Sequence, residues 1–315
     1  MKRLSLLLAV AGAGVVLLRL AWFDVGAVWA AMVSVGWGGF LLLVAWQAVL
    51  FVLLGLAWAV VLPGVPAPLL VWGRMVRDAA TTCLPFSPVG GYVIGARAIT
   101  LQGVSWPVAA ASTVIDVTAE IIAQMVFSLF GVAVVLVVLP GASFAGPVAA
   151  GARVALALLL LALWQRARIG RAVRALGGRL LAGMLAAEGG LARLQAELGR
   201  LYVPERLGIA AALHLSGWFA TGVGTWISLH LLGAEIDVLH VLALEALLDA
   251  LVAAAFVVPG AAGVQEAGYV GLGALFGVPP DLALSVSLLR RGKDLVWGLP
   301  VLGAWQWREV RRLAS

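Results

Sequence analysis

Apolar residues in this chain do not alternate with polar ones. They run on continuously through 4–22, 38–62, 107–139, 148–164, 207–232 and 282–307. A helix that is apolar all round is solvated by a large core or by lipid, and about 20 apolar residues cross the ~30 Å hydrocarbon core of a bilayer. The runs therefore predict membrane-spanning helices. A β-barrel is excluded, because its strands alternate lipid-facing and lumen-facing positions. Two tracts interrupt the pattern, 67–102 and 240–276, where prolines, glycines and charged groups stand inside apolar sequence. Neither reads as a simple span. One long segment, 166–206, is polar, with eight arginines and three glutamates. It predicts one or two amphipathic helices on the cytoplasmic surface, as a solvated connector or as a face for anionic lipid headgroups.

Composition strengthens this reading. The 315 residues are 63% hydrophobic and 11% charged, with a mean hydropathy of +1.08, against about 25% charged in soluble domains. The net charge of +6 and pI near 10.4 raise the question of nucleic acid. The distribution of the charge answers it. Lysine and arginine are absent from 20–73, 98–152 and 207–289, and gather between those tracts. That is the positive-inside bias of a membrane protein, and no nucleic-acid partner is expected. The bias puts both termini in the cytoplasm. The first twenty residues have the basic start and apolar run of a signal peptide. They are read as an uncleaved first span, because no cleavage site with a polar mature region follows. A single cysteine, Cys83, precludes an internal disulfide, and the three histidines lack ligand spacing, so neither a metal nor a cofactor is expected.

The two interrupted tracts resemble each other. The first contains CLPFSPVGGYVIGARAITLQGVSWP and the second VVPGAAGVQEAGYVGLGALFGVPP. Each has a proline, a glycine-rich turn, Gly-Tyr-Val, a short apolar stretch, then Gly-Val and a proline opening a long helix. Asp116 and Arg290 lie thirteen residues beyond Gly103 and Gly277, and Glu120 and Asp294 lie seventeen beyond. By the charge-derived topology the two tracts start from opposite sides of the membrane. The expectation is an all-α polytopic membrane protein with about six to eight transmembrane helices and two re-entrant hairpins in an inverted repeat. The first half is 1–165 with its hairpin near 67–102. The connector is 166–206. The second half is 207–315 with its hairpin near 240–276. Backbone freed at such breaks is tolerated at depth only where protein or a polar cavity surrounds it, so a cavity is expected at Pro259, Gly263, Gln265 and Glu266.

Charges inside the spans are costly, by a few kcal/mol each on insertion scales. Asp116 and Glu120 are four residues apart and share a helix face, as do Glu245 and Asp249. Arg97, Arg290, Arg291 and Lys293 are the cations expected to oppose them and Glu266. Three roles are open to these groups: internal ion pairs that fix packing, recognition of a lipid headgroup with cation or proton handling by the carboxylates, and acid–base chemistry on a lipid. The third lacks a nucleophile motif or phosphate loop.

LPFSPVGGYVIGARAITLQGV, STVIDVTAEIIAQ and PGAAGVQEAGYVGLGALFGVPPDLALSVSLLRRGKDLVWGLPVL together resemble the transmembrane region of the lysylphosphatidylglycerol synthase superfamily. LPFSPVGGYVIGAR is most similar to its hopanoid-associated HpnL-type branch. The resemblance covers roughly 41–305. It implies a bacterial inner-membrane protein that moves an amphiphilic lipid between leaflets, a hopanoid or a phospholipid, rather than an enzyme. In the full synthases an aminoacyltransferase domain follows, and this chain ends at Ser315 without room for one. The resemblance points to Pro259, Gly263, Gln265, Glu266, Arg290, Arg291 and Asp294, with Arg97, Asp116 and Glu120 in the first half. The family often has a glutamate directly after the first glycine of the first hairpin. Gly91 stands there in this chain, which favours a less charged cargo. A lipid-synthesis scaffold remains an alternative to transport, as does a membrane-embedded enzyme; a homo-oligomer is compatible with either.

Overall fold

A computed structural model describes residues 25–84, 88–138, 190–255 and 263–314. Ten helices make up this part: α1 (Val25–Ser34), α2 (Gly36–Val61), α3 (Ala67–Cys83), α4 (Pro88–Thr100), α5 (Trp106–Val138), α6 (Gly190–Leu201), α7 (Pro204–Leu231), α8 (Val238–Ala254), α9 (Val264–Leu275) and α10 (Pro280–Ala314). The expected spans 4–22 and 148–164, most of the polar connector and Pro259 lie outside the described residues.

Among the described residues, α2, α5 and α7 are long and apolar enough to cross a membrane. Leu41, Leu42 and Val52 of α2, Ile121 and Val126 of α5, and Ile209 of α7 point outward. Outward-facing aliphatic residues on such helices suit a lipid solvent, in which no polar surface is needed. The chain is a multi-pass, all-helical membrane protein.

Each interrupted tract forms a helix, a break and a second helix. α3 and α8 have 17 residues each, α4 has 13 and α9 has 12. At ~1.5 Å per residue the first members reach about 26 Å and the second under 20 Å, short of the ~30 Å hydrocarbon core. Local chemistry sets the ends. Asp237 caps α8 by accepting from the Leu239 N–H at 2.8 Å. α3 gives way to extended backbone at Leu84, just ahead of Pro85. Gly103 and Gly277 both adopt positive φ, +98° and +76°. An added Cβ at either would meet nothing within 4 Å, so the requirement there is conformational: the chain must reverse before α5 and α10 begin, and a β-carbon disfavours that backbone.

Packing reveals reciprocity between the halves. α2 and α7 lie against each other at the centre. α5 packs on α8, and α10 packs on α3. The long helix that follows each hairpin thus lies against the first hairpin helix of the other half.

One helix was not expected. α1 occupies a stretch too short to span, lying between the expected runs 4–22 and 38–62, and packs against α10. Gly292 makes room there: a Cβ would come within 3.2 Å of Met32 Sδ and Val28 Cγ1. In the connector, α6 buries Leu194 and Leu201 and exposes Arg193 and Arg200, the amphipathic helix its sequence predicts.

Candidate functional site: two buried ion clusters

The first hairpin helix carries two arginines one turn apart, Arg74 and Arg77. Both are buried. Arg77 donates from Nη1 to Asp116 Oδ2 of α5 at 3.0 Å and from Nη2 to Glu120. Arg74 donates to Glu120 Oε1 at 2.9 Å and to Asp78 at 3.0 Å. His214 of α7 is fully buried, with Nε2 2.9 Å from Asp116 Oδ1. One turn before Asp116, Ser112 accepts from the indole N–H of Trp58 at 3.1 Å. Tyr92, the tyrosine of the first Gly-Tyr-Val, lies with its ring 4.1 Å beneath the Arg77 guanidinium. Every carboxylate in this cluster has a charged or N–H partner, as burial in low dielectric requires.

In the second cluster two equivalent positions carry charges of exchanged sign. Glu245 is the eighth residue of α8, as Arg74 is of α3. Arg290 of α10 holds the place that Asp116 holds in α5. Arg290 donates from Nη1 to Glu245 and lies 3.6 Å from Asp249 Oδ1 through Nη2. Tyr269, from the second Gly-Tyr-Val, donates to Glu245 Oε2 at 3.0 Å and accepts from Arg290 at 3.1 Å. Thr225 of α7 adds a donor to Glu245 at 2.8 Å. Glu245 is completely buried and Asp249 is 6% exposed. Gln124 links the clusters, its amide donating to the Asp249 carbonyl at 3.3 Å.

Glu266 sits beside the second cluster at the start of α9. Its carboxylate accepts the Gly263 N–H at 2.9 Å and pairs with Arg291. A carboxylate in the first turn of a helix satisfies a free N–H and complements the helix dipole. Gln265 donates to the buried Ser287 hydroxyl at 2.8 Å. Asp294 lines a cleft between α2, α3 and α10 with Gln47, Asp78, Thr82 and Trp297. Its neighbour Lys293 faces a second cleft with Trp46, Thr221, Thr225 and Arg290. Adjacent charges of opposite sign on α10 therefore line separate polar clefts.

Two placements differ from expectation. Arg97 does not oppose Asp116 or Glu120; it reaches the tail and pairs with Glu309 at 2.8 Å, partly exposed. The cations that oppose those carboxylates are Arg74 and Arg77, and the His214 ring adds a hydrogen bond to Asp116. Their sequence signal is two arginines three residues apart in a short helix flanked by apolar sequence. His214 had none. The Gly91 substitution has a steric cause: a Cβ there would lie 2.0 Å from Thr81 Oγ1 and 2.9 Å from the Arg77 carbonyl. α3 and α4 cross at Gly91 too closely for any side chain without a shift. Among the described residues no group of histidine, cysteine or carboxylate side chains could hold a metal ion.

Charged pairs between these helices lie buried inside an apolar, multi-pass helical bundle. The profile described as the lysylphosphatidylglycerol synthase TM region matches residues 4–303, and the chain belongs to that family of lipid-handling membrane proteins. No curated protein and no solved structure matches it.

Proposed function

We propose that this protein is a lipid translocase of the bacterial inner membrane, moving an amphiphile between leaflets. Its halves form an inverted repeat, its hairpins are re-entrant and its termini are cytoplasmic. The cargo is a hopanoid or a related lipid with a weakly charged head. The observation that carries the proposal is the reciprocal packing of the two broken tracts, with a buried ion cluster at equivalent positions of each. Interrupted helices facing one another around polar groups are a recurrent way to build a transport site. Glu266 and Gln265 stand where the second hairpin turns, and Glu266 is the side chain offered to the polar head. The tight crossing at Gly91, which leaves the first hairpin without the family's acidic group, supports the weakly charged cargo.

Lipid profiling of separated inner and outer membranes, with and without the protein, tests this reading. The expected result is an unchanged total with one lipid class accumulating in the inner membrane when the protein is missing. A species that vanishes from both membranes would mean that the protein makes a lipid. Glu266→Ala is expected to reach the membrane at normal level and to abolish the redistribution. Full activity in that variant would remove Glu266 from the mechanism.

A further inference from the structure

We propose that Asp249 is a proton-binding site and that its proton drives lipid movement; the second clause rests on the translocase reading above. The argument starts from unequal provision in the second cluster. Glu245 receives the Arg290 guanidinium, the Thr225 hydroxyl at 2.8 Å and the Tyr269 hydroxyl at 3.0 Å. Three donors thus converge on one buried carboxylate. Asp249 has only the remaining arm of Arg290, at 3.6 Å from Oδ1. Its Oδ2 is buried and has no hydrogen-bond partner.

Among the described residues, no second cation pairs with Asp249. On its own helix the facing charge is Glu245, of like sign. α5 contributes the neutral amide of Gln124, directed at the Asp249 carbonyl. α7 contributes Thr225 and α9 contributes Tyr269, both engaged with Glu245. α10 contributes Arg290; farther along it, Lys293 and Asp294 lie 4.0 Å from each other. Two carboxylates thus share one guanidinium within an apolar bundle. Ionised together they leave a net negative charge buried, which a low-dielectric interior disfavours strongly. A proton on Asp249 neutralises the set and removes the cost of the bare oxygen.

The position suits coupling. Asp249 lies one turn and a half before α8 ends, close to the break that leads to Gly263 and Glu266. In a state that admits water to this site Asp249 releases its proton; in the packed state, with Oδ2 buried and unpartnered, the carboxyl is neutral. Asp249-COOH loses H⁺ to the open side and regains one H⁺ from the other side in each cycle. One proton therefore crosses per lipid moved.

Two measurements on purified, reconstituted protein test this. The first is infrared spectroscopy at neutral pH with deuterium exchange. A protonated carboxyl band is expected in the native protein, absent in Asp249→Asn and retained in Glu245→Gln. A native protein without that band overturns the site. The second uses vesicles holding a fluorescent lipid and an imposed pH difference. With one proton per lipid, a difference of one pH unit supports a cargo ratio of about tenfold across the bilayer, and Asp249→Asn should show none. A native cargo ratio that ignores the pH difference overturns the coupling. If the band is present while no lipid moves under any condition, the translocase reading fails and the proton site stands.

Discussion

The two ion clusters occupy matching places and differ in what they leave over. In the first, Asp78, Asp116 and Glu120 all find partners within 3.0 Å among Arg74, Arg77 and His214. The buried side-chain atoms left without a partner are Arg74 Nη1 and the ring nitrogen His214 Nδ1, so every carboxylate oxygen of the cluster that faces inward is met while two nitrogens are not. In the second, two carboxylates share Arg290, and the atom left over is an acceptor, Asp249 Oδ2. A spare donor on an arginine cannot give up its charge, because the guanidinium stays protonated. A spare carboxylate oxygen can change its charge by taking a proton. The same scaffold thus carries one cluster suited to holding helices together and one suited to switching. Exposure agrees: the Arg77 side chain is 4% exposed and the Arg290 side chain 24%.

This contrast can be broken by experiment. Arg77→Met takes one of two partners from Asp116, which keeps His214, and one of two from Glu120, which keeps Arg74; breaking a buried pair this way is expected to cost about 3–5 kcal/mol in reversible unfolding from detergent. Arg290→Met is expected to cost on the order of 2 kcal/mol, as for a hydrogen bond to a charged group, because the partly open site admits water or a proton. Equal losses would erase the distinction between a holding and a switching cluster. The hairpins can be compared through their tyrosine motifs. Gly91→Ala drives a Cβ against a backbone carbonyl and should cost about 1–3 kcal/mol. Gly268→Ala meets chiefly the Leu248 side chain, at 2.5 Å from Cδ1, which can rotate; less than about 1 kcal/mol is expected. The same unfolding assay ranks the pair, and the reverse order would mean that the second hairpin is the more tightly closed. Glu266→Ala loses a cap and a partly exposed pair, so about 1 kcal/mol is expected beside the complete loss of transport. Arg97→Ala should have the smallest effect, about 0.2–1 kcal/mol, since its pair with Glu309 is solvated; a larger loss would show that the tail fixes the first hairpin.

Much of this architecture was legible in the chain. The long apolar runs predicted α2, α5 and α7 to within a few residues, because burial in lipid imposes length and composition together; the run 282–307 found the start of α10 but not its end, which continues through the basic tail to Ala314. The breaks were legible because prolines and glycines have no other use at such depth. The four-residue spacing of Asp116 with Glu120, and of Glu245 with Asp249, correctly put each pair on one helix face. Partner choice was not legible. Arg97 and Arg77 look alike in sequence, and only the crossing of α3 and α4 decides which one faces α5. His214 was invisible because its role comes entirely from α7 lying beside α5. α1 was missed because a ten-residue apolar stretch is too short for the membrane signal and lacks a polar face to reveal its period.

The length of α10 has one more consequence. Its 35 residues extend about 52 Å, well beyond the hydrocarbon thickness. Near its start, Ser287 and Arg291 hold the second hairpin. Near its end, Glu309 and Arg312 hold Arg97 and the Thr100 carbonyl of the first, and Arg308 lies over Trp72. The helix is a crankshaft with one hairpin fastened at each end. Its single interior proline, Pro300, lacks the N–H that would tie that turn, so the shaft has one place to flex. A displacement at one end of this helix reaches the other end through that turn, so the two tracts share one mechanical connection.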